Sequence, residues 1–89
     1  GYQDVLTIAY KFDEPGFAGT MKVFDIAGRE VRTLMNDELL GTSGSISWDG
    51  LMDGNDLARI GPYIVYMEAY DLNGNVEKFR KSVVLAHRL

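Results

Sequence analysis

Oxygen-bearing side chains cluster in one short stretch of the chain, which contains Asp49, Asp53, Asn55 and Asp56. Carboxylate and amide oxygens at short spacing are ligands that Ca²⁺ prefers in proteins. The stretch departs from the twelve-residue calcium loop, because no glutamate follows at the distal position. Asp and Asn next to glycine are also the residues that tight turns require. We therefore interpret the stretch as turns, keep its four residues as candidate cation ligands, and predict no bound metal or other cofactor.

The residue types that drive catalysis are scarce in this sequence. It has no cysteine, and its single histidine, His87, stands beside Arg88 without a nearby carboxylate to orient it. Two pairs of neighbouring carboxylates, Asp13-Glu14 and Asp37-Glu38, fall in stretches that we predict to be loops. A solvated surface is the ordinary place for such pairs. We predict no catalytic residue and do not expect the chain to be an enzyme.

Three aromatic side chains are candidates for contact with a ligand. Tryptophans form carbohydrate platforms on some β-sandwiches, but Trp48 alternates with Ile46, which predicts that both side chains point into the core. Tyr66 and Tyr70 fall on the face opposite Val65 and are better candidates for an exposed contact. Cross-strand packing is the usual role of such tyrosines, so we expect their face to be partly covered.

Charge is distributed unevenly along the chain. The formal net charge is −4, yet residues 1–77 carry 13 acids and five bases, whereas residues 78–89 carry four bases and no acid. The acidic balance argues against nucleic-acid binding, which depends on neutralising phosphates. No stretch approaches the roughly 20 apolar residues of a membrane-spanning helix. We predict neither a nucleic-acid partner nor a membrane span.

The four bases of the last segment are the strongest indication of a binding surface, and they are Lys78, Arg80, Lys81 and Arg88. Period-2 alternation predicts that Lys78 and Arg80 share one face of a strand, and that Lys81 shares the other face with Phe79. Two interpretations remain open. The charges either protect an edge strand from aggregation or form a surface on which a partner protein docks.

Period-2 alternation dominates the whole sequence and predicts β-strands. We expect strands at residues 5–12, 20–25, 30–35, 45–48, 62–70 and about 76–86. Residues 36–45 are interpreted as a crossing loop, because two glycines end any helix within about one turn. Residues 51–60 are rich in turn formers.

Two matching turns, Asp25-Ile-Ala-Gly28 and Asp71-Leu-Asn-Gly74, separate pairs of these strands. Asp can accept backbone N–H bonds and Gly can take the left-handed conformation, so each motif predicts a type I turn closed by a bulge in an antiparallel hairpin. Residues 1–89 are then a single all-β domain. We predict an antiparallel β-sandwich of six to seven strands, similar to immunoglobulin or fibronectin type III domains.

Four motifs in a fixed order resemble one known family, and they are Phe24-Asp-Ile-Ala-Gly-Arg-Glu-Val-Arg-Thr-Leu34, Trp48-Asp-Gly50, Gly61-Pro-Tyr-Ile-Val65 and Asp71-Leu-Asn-Gly74. The chain resembles the immunoglobulin-like C-terminal modules of bacterial secreted and surface proteins. These modules are related to the one in flagellar hook-capping proteins and to the gliding-motility-associated C-terminal domain. The opening Gly1-Tyr-Gln-Asp4 is similar to the end of that family's opening motif, so the resemblance covers nearly the whole chain.

The ending, Lys81-Ser-Val-Val-Leu-Ala86 with a short basic tail, resembles the terminal strand of sorting domains read by the type IX secretion system. The resemblance implies a C-terminal module of a larger bacterial protein that is secreted or held at the cell surface. Its expected partners are the secretion or surface-anchoring machinery and the upstream domains of the same chain. The alternative is a structural spacer, or an accessory module that binds carbohydrate or Ca²⁺.

Overall fold

Alternating apolar and polar residues place most of the described part of the chain in eight β-strands. The computed structural model describes residues 2–3 and 6–88, with side chains for residues 6–86. The strands are β1 (Tyr2–Gln3), β2 (Leu6–Lys11), β3 (Ala18–Asp25), β4 (Glu30–Leu39), β5 (Ser43–Trp48), β6 (Gly61–Tyr70), β7 (Val76–Leu85) and β8 (His87–Arg88). The described residues form no helix, and therefore none that could cross a membrane. The predicted all-β fold is confirmed.

Every ladder between these strands is antiparallel. The largest sheet has four strands in the order β4-β3-β6-β7, and β2 pairs with β5 in a second sheet. β1 and β8 form a third sheet in which each strand has two residues. Buried side chains from β2 and β5 join those of the four-stranded sheet in one apolar cluster, so the arrangement is sandwich-like.

Core positions follow the predicted alternation. On β3, Met21 and Val23 are buried while Lys22 between them is partly exposed. On β6 the core-facing residues are all buried, namely Tyr63, Val65, Met67 and Ala69. Val5, the first residue of the first predicted strand, lies outside the described residues. The period of two therefore predicted correctly which face of each of these strands is buried.

Trp48 belongs to the apolar cluster, with 0% of its surface exposed. Its Nε1 donates a hydrogen bond of 2.9 Å to the carbonyl oxygen of Leu51, so the indole buries no unpaired donor. The ring meets the Tyr63 ring edge-on, with centroids 5.1 Å apart. Tyr63 in turn donates from its hydroxyl to the carbonyl oxygen of Arg59 at 2.6 Å. The prediction that Trp48 packs in the core is confirmed.

The two turns with the D-x-x-G pattern have the same geometry. Asp25 Oδ1 accepts bonds of 2.9 Å from the backbone N–H groups of Ala27 and Arg29. Asp71 Oδ1 accepts the equivalent pair, also at 2.9 Å, from residues 73 and 75. Gly28 and Gly74 have φ angles of 84° and 85°, which side chains disfavour. Both predicted hairpins are confirmed, joining β3 to β4 and β6 to β7.

These turn carboxylates make the stability of the fold dependent on pH. The backbone N–H of Arg29 lowers the pKa of Asp25, and the side chain of Asn75 lowers the pKa of Asp71. A lowered pKa means that the folded chain favours the ionised form, so the stabilisation is present above the unfolded value of about 3.9 and is lost as the pH falls through the lower folded value.

We expect the double variant Asp25→Asn with Asp71→Asn to lose more thermal stability at pH 7 than at pH 3. Asparagine keeps an oxygen that can accept the backbone bonds but removes the charge that the turn stabilises. Thermal unfolding at the two pH values measures the difference. Asp13→Asn is the matched control, since this carboxylate is exposed and lies outside both turns. An equal loss at both pH values would contradict the claim that the ionised forms of Asp25 and Asp71 stabilise the fold.

The prediction of a crossing loop at residues 36–45 is wrong. β4 continues through Leu39 and β5 begins at Ser43, which leaves residues 40–42 as the connection. The polar residues of the extension stay in the sheet because Glu38 and Leu39 pair with Gly19 and Ala18 of β3. Pairing with a neighbouring strand overrides the low strand propensity of Asn, Asp and Glu.

Candidate functional site

β7 forms one edge of the four-stranded sheet. It pairs with β6 through ten consecutive residue pairs without a register shift, from Tyr70 opposite Val76 to Gly61 opposite Leu85. No described strand pairs with the other side of β7; β1 pairs only with β8, which follows it. The basic segment of the sequence is therefore a regular strand with an open edge.

The basic side chains divide between the two faces of β7 as predicted. Lys78 and Arg80 lie opposite Glu68 and Tyr66, on the outer face of the sheet. Lys81 lies opposite the buried Val65 and so belongs to the core-facing side. All three side chains are exposed. Alternate residues on one face of a strand are about 7 Å apart, so Lys78 and Arg80 form a compact pair of positive charges.

The core-facing side of β7 is uncovered in the first half of the strand, from residue 77 to residue 81. Phe79 lies opposite Met67, yet Phe79 is 43% exposed whereas Met67 is 3% exposed. The opposing sheet has two described strands, and the Phe12 ring, one residue after β2, lies at a centroid distance of 6.3 Å from the Phe79 ring. An apolar ring therefore borders the same open edge as the three cations. This exposure could not be inferred from the alternation of β7, because it depends on the width of the other sheet.

The cations of β7 form no ion pair with the described residues. Among the described residues, ion pairs form between Lys22 and Glu30, between Arg29 and Asp25, and between Arg32 and Asp53. Glu68 lies opposite Lys78, but it accepts a hydrogen bond of 3.3 Å from the Tyr66 hydroxyl. The positive charge of β7 is thus left to solvent or to a partner.

The candidate cation ligands of the turn region serve the backbone. Asp49 Oδ1 accepts the N–H of Leu51 at 3.0 Å, and Asp53 Oδ1 accepts the N–H of Thr33 at 3.2 Å. Asn55 has a φ of 71° in a tight turn, and the carbonyl oxygen of Asp56 accepts a bond from the backbone of residue 52. Across the described residues, no three acidic or histidine side chains gather to hold a metal ion. These contacts fit the interpretation of the stretch as turns.

The two outer-face tyrosines are held by neighbouring carboxylates. Tyr66 donates to Glu68, and the Tyr70 hydroxyl donates to Asp37, which raises the pKa of Tyr70. Asp37 also donates its backbone N–H to Thr20 Oγ1 at 3.0 Å, so Asp37 on β4 contacts both β3 and β6. Both rings are half-buried, as the predicted partly covered face requires.

The last two candidate residues lie in β8. His87 pairs with Gln3 and Arg88 pairs with Tyr2 through the backbone, but the side chains of His87 and Arg88 lie outside the described ones. The structure therefore brings Lys78, Arg80 and Lys81 together on one strand and places only the backbone of Arg88 beyond its end.

No protein-family model, no curated protein and no solved structure matches the chain. Its function is therefore inferred from its own surface.

Proposed function

We propose that the chain is a non-catalytic immunoglobulin-like module that ends an exported bacterial protein and docks it to secretion or surface-anchoring machinery of the type IX kind. One observation carries the proposal: β7 is an exposed, regular edge strand whose three cations have no ion-pair partner among the described residues. The order of the four sequence motifs supports it independently.

Edge protection alone accounts poorly for this strand. Charged residues at an edge discourage pairing with other chains, and so do bulges. β7 has the charges but no bulge, and it exposes Phe79 beside them. Aromatic and arginine side chains together are the composition that protein interfaces favour. The combination suits selective docking better than general repulsion.

The charge of the rest of the chain supports the same role. Residues 1–77 carry eight more acids than bases, while β7 carries three bases and one acid. A positive strand on an acidic module orients an approaching partner through long-range electrostatics. An acidic surface of the partner would therefore meet β7 first.

The connection of the strands supports an immunoglobulin-like topology. The chain passes from β2 in the smaller sheet to β3 and β4 in the larger one, returns to β5, and then crosses again to β6 and β7. Repeated crossing between two antiparallel layers is the rule in such sandwiches. In this arrangement β7 takes an edge position.

A reporter fusion tests the proposal. We expect a periplasmic reporter that carries residues 1–89 at its C-terminus to reach the cell surface or the medium in a host with type IX machinery. The triple variant Lys78→Glu, Arg80→Glu and Lys81→Glu is expected to leave the reporter in the periplasm, because it reverses the charge of the docking strand. Fractionation of cells followed by immunoblotting measures the exported share.

Two controls make the result decisive. The exchange of Lys78→Arg, Arg80→Lys and Lys81→Arg keeps the charge and should keep export, and resistance to limited proteolysis shows that each fusion is folded. A folded wild-type module that leaves the reporter in the periplasm would overturn the proposed function. Equal export by the charge-reversed variant would show that the cations of β7 do not take part in docking.

A further inference from the structure

The backbone of β7 presents one row of hydrogen-bonding groups to solvent. At the second hairpin, the N–H of Asp71 donates to the carbonyl oxygen of Asn75 at 3.1 Å. In an antiparallel ladder, residues that bond to the partner strand alternate with residues whose N–H and C=O face away. The alternation from this pair places the outward-facing groups on the even-numbered residues of β7, which are Val76, Lys78, Arg80, Ser82 and Val84.

The position of Pro62 on β6 is consistent with this alternation. Pro62 lies opposite Val84, and the alternation makes this a pair whose residues do not bond to each other across the β6–β7 ladder. Proline has no N–H and is tolerated only where the ladder needs none. The even-numbered residues therefore carry both the free backbone groups and, at Lys78 and Arg80, the outer-face charges.

The two edges of the sheet differ in their readiness to accept another strand. β4, the opposite edge, pairs with β3 through several register shifts, and its Asp37 has a φ of 51°. Bulges and left-handed residues twist an edge away from further pairing. β7 has ten continuous pairs with β6. Of these two edges, β7 is the one with regular pairing.

From this geometry we infer that β7 binds its partner by strand addition. The added strand is an extended segment in which one apolar residue lies between two acidic residues. The acidic side chains would lie opposite Lys78 and Arg80 on the outer face. The apolar side chain between them would lie beside Phe79 on the core-facing side, where 43% of that ring is exposed. Cross-strand neighbours of this kind interact directly.

Charge selects this occupant over a second copy of the chain. Two β7 strands paired with each other would bring together Lys78, Arg80 and Lys81 from both copies, and like charges across a ladder are unfavourable. Pairing β7 with β4 of another copy would require the irregular edge to accept a strand. An acidic segment of another protein meets neither obstacle.

The inference rests on the proposed docking function and specifies its mode. The probe is a soluble peptide with the core sequence Thr-Val-Glu-Val-Glu-Val-Thr, titrated calorimetrically into the 89-residue chain. One control peptide has lysine in place of both glutamates, and another has N-methyl groups on alternate backbone nitrogens. We expect the acidic peptide to bind and both control peptides not to bind. The affinity for the acidic peptide should fall several-fold when salt is raised from about 0.15 M to 1 M, because screening increases.

Substitution at Ser82 separates strand addition from simple charge attraction. Ser82→Pro removes one outward-facing N–H and leaves the β6 ladder intact, so it should weaken binding about tenfold while Ser82→Ala binds like the wild type. Lys78→Glu with Arg80→Glu should abolish binding of the acidic peptide. Unfolding curves of each variant show that the fold is kept.

Three results would overturn the inference. They are no binding of the acidic peptide by the folded chain, equal binding by Ser82→Pro and Ser82→Ala, and dimerisation of the chain that Ser82→Pro prevents, which would make a second copy the occupant. Its failure is distinguishable from failure of the proposed function. Export that survives Ser82→Pro would keep the function and reject strand addition, whereas peptide binding without export would do the reverse.

Discussion

Replacing Trp48 with alanine is expected to lower the free energy of unfolding by about 3–5 kcal/mol. Trp48 is the largest side chain with no exposed surface, and it contacts the Tyr63 ring as well as the backbone of Leu51. Alanine leaves a cavity that the surrounding strands can fill only in part. Domains of this size have a total stability of roughly 4–13 kcal/mol, so the loss should be a large fraction of the total.

Urea unfolding followed by circular dichroism measures this loss, since the variant lacks the only tryptophan of the chain. Trp48→Phe should lose less, because a ring remains against Tyr63 and the Leu51 carbonyl oxygen still accepts a bond of 3.3 Å from Arg32. Leu72→Ala is the matched control on a fully exposed turn residue. If Trp48→Ala lost no more stability than Leu72→Ala, the placement of Trp48 in the core would be wrong.

The faces of the strands could be predicted from sequence because each depends on local alternation. Met21 and Val23 are buried and Trp48 lies in the core, as the period of two requires. The hairpins were predictable for a related reason. A single aspartate and a single glycine, as in Asp71 and Gly74, supply the acceptor and the left-handed residue that close the turn.

The extent of β4 could not be predicted in the same way. Residues 36–39 are mostly polar, and Asp37 takes a left-handed conformation in mid-strand. Their place in the sheet depends on pairing with residues 18 and 19 and on the contacts of Asp37 with Thr20 and Tyr70. Such contacts join residues that are distant in sequence, so the local alternation of residue types does not predict them.

The candidate site was predictable in composition but not in environment. The sequence places Lys78 and Arg80 on one face and Lys81 with Phe79 on the other, and the register confirms this. That β7 is an edge, that its pairing is regular, and that Phe79 is left uncovered all depend on the number and order of strands in both sheets. Because of these features, the basic segment is an open strand edge on which charged and apolar side chains alternate between the two faces.

Hydrogen exchange along β7 tests most directly whether its edge is open. Amides that bond to β6, such as those of Phe79 and Lys81, are expected to exchange at least about 100-fold more slowly than the outward-facing amides of Lys78, Arg80 and Ser82. The physical reason is that exchange of a bonded amide requires local opening of the sheet, whereas an outward-facing amide is already in contact with water.

Nuclear magnetic resonance of the folded chain in dilute solution gives the rate for each amide. Alternating slow and fast exchange from residue 77 to residue 83 is the result that an open β7 edge predicts. Uniformly slow exchange would mean that another segment or another copy already covers the edge, and uniformly fast exchange would mean that β7 does not pair stably with β6. Either uniform pattern would contradict an edge strand held ready for a partner.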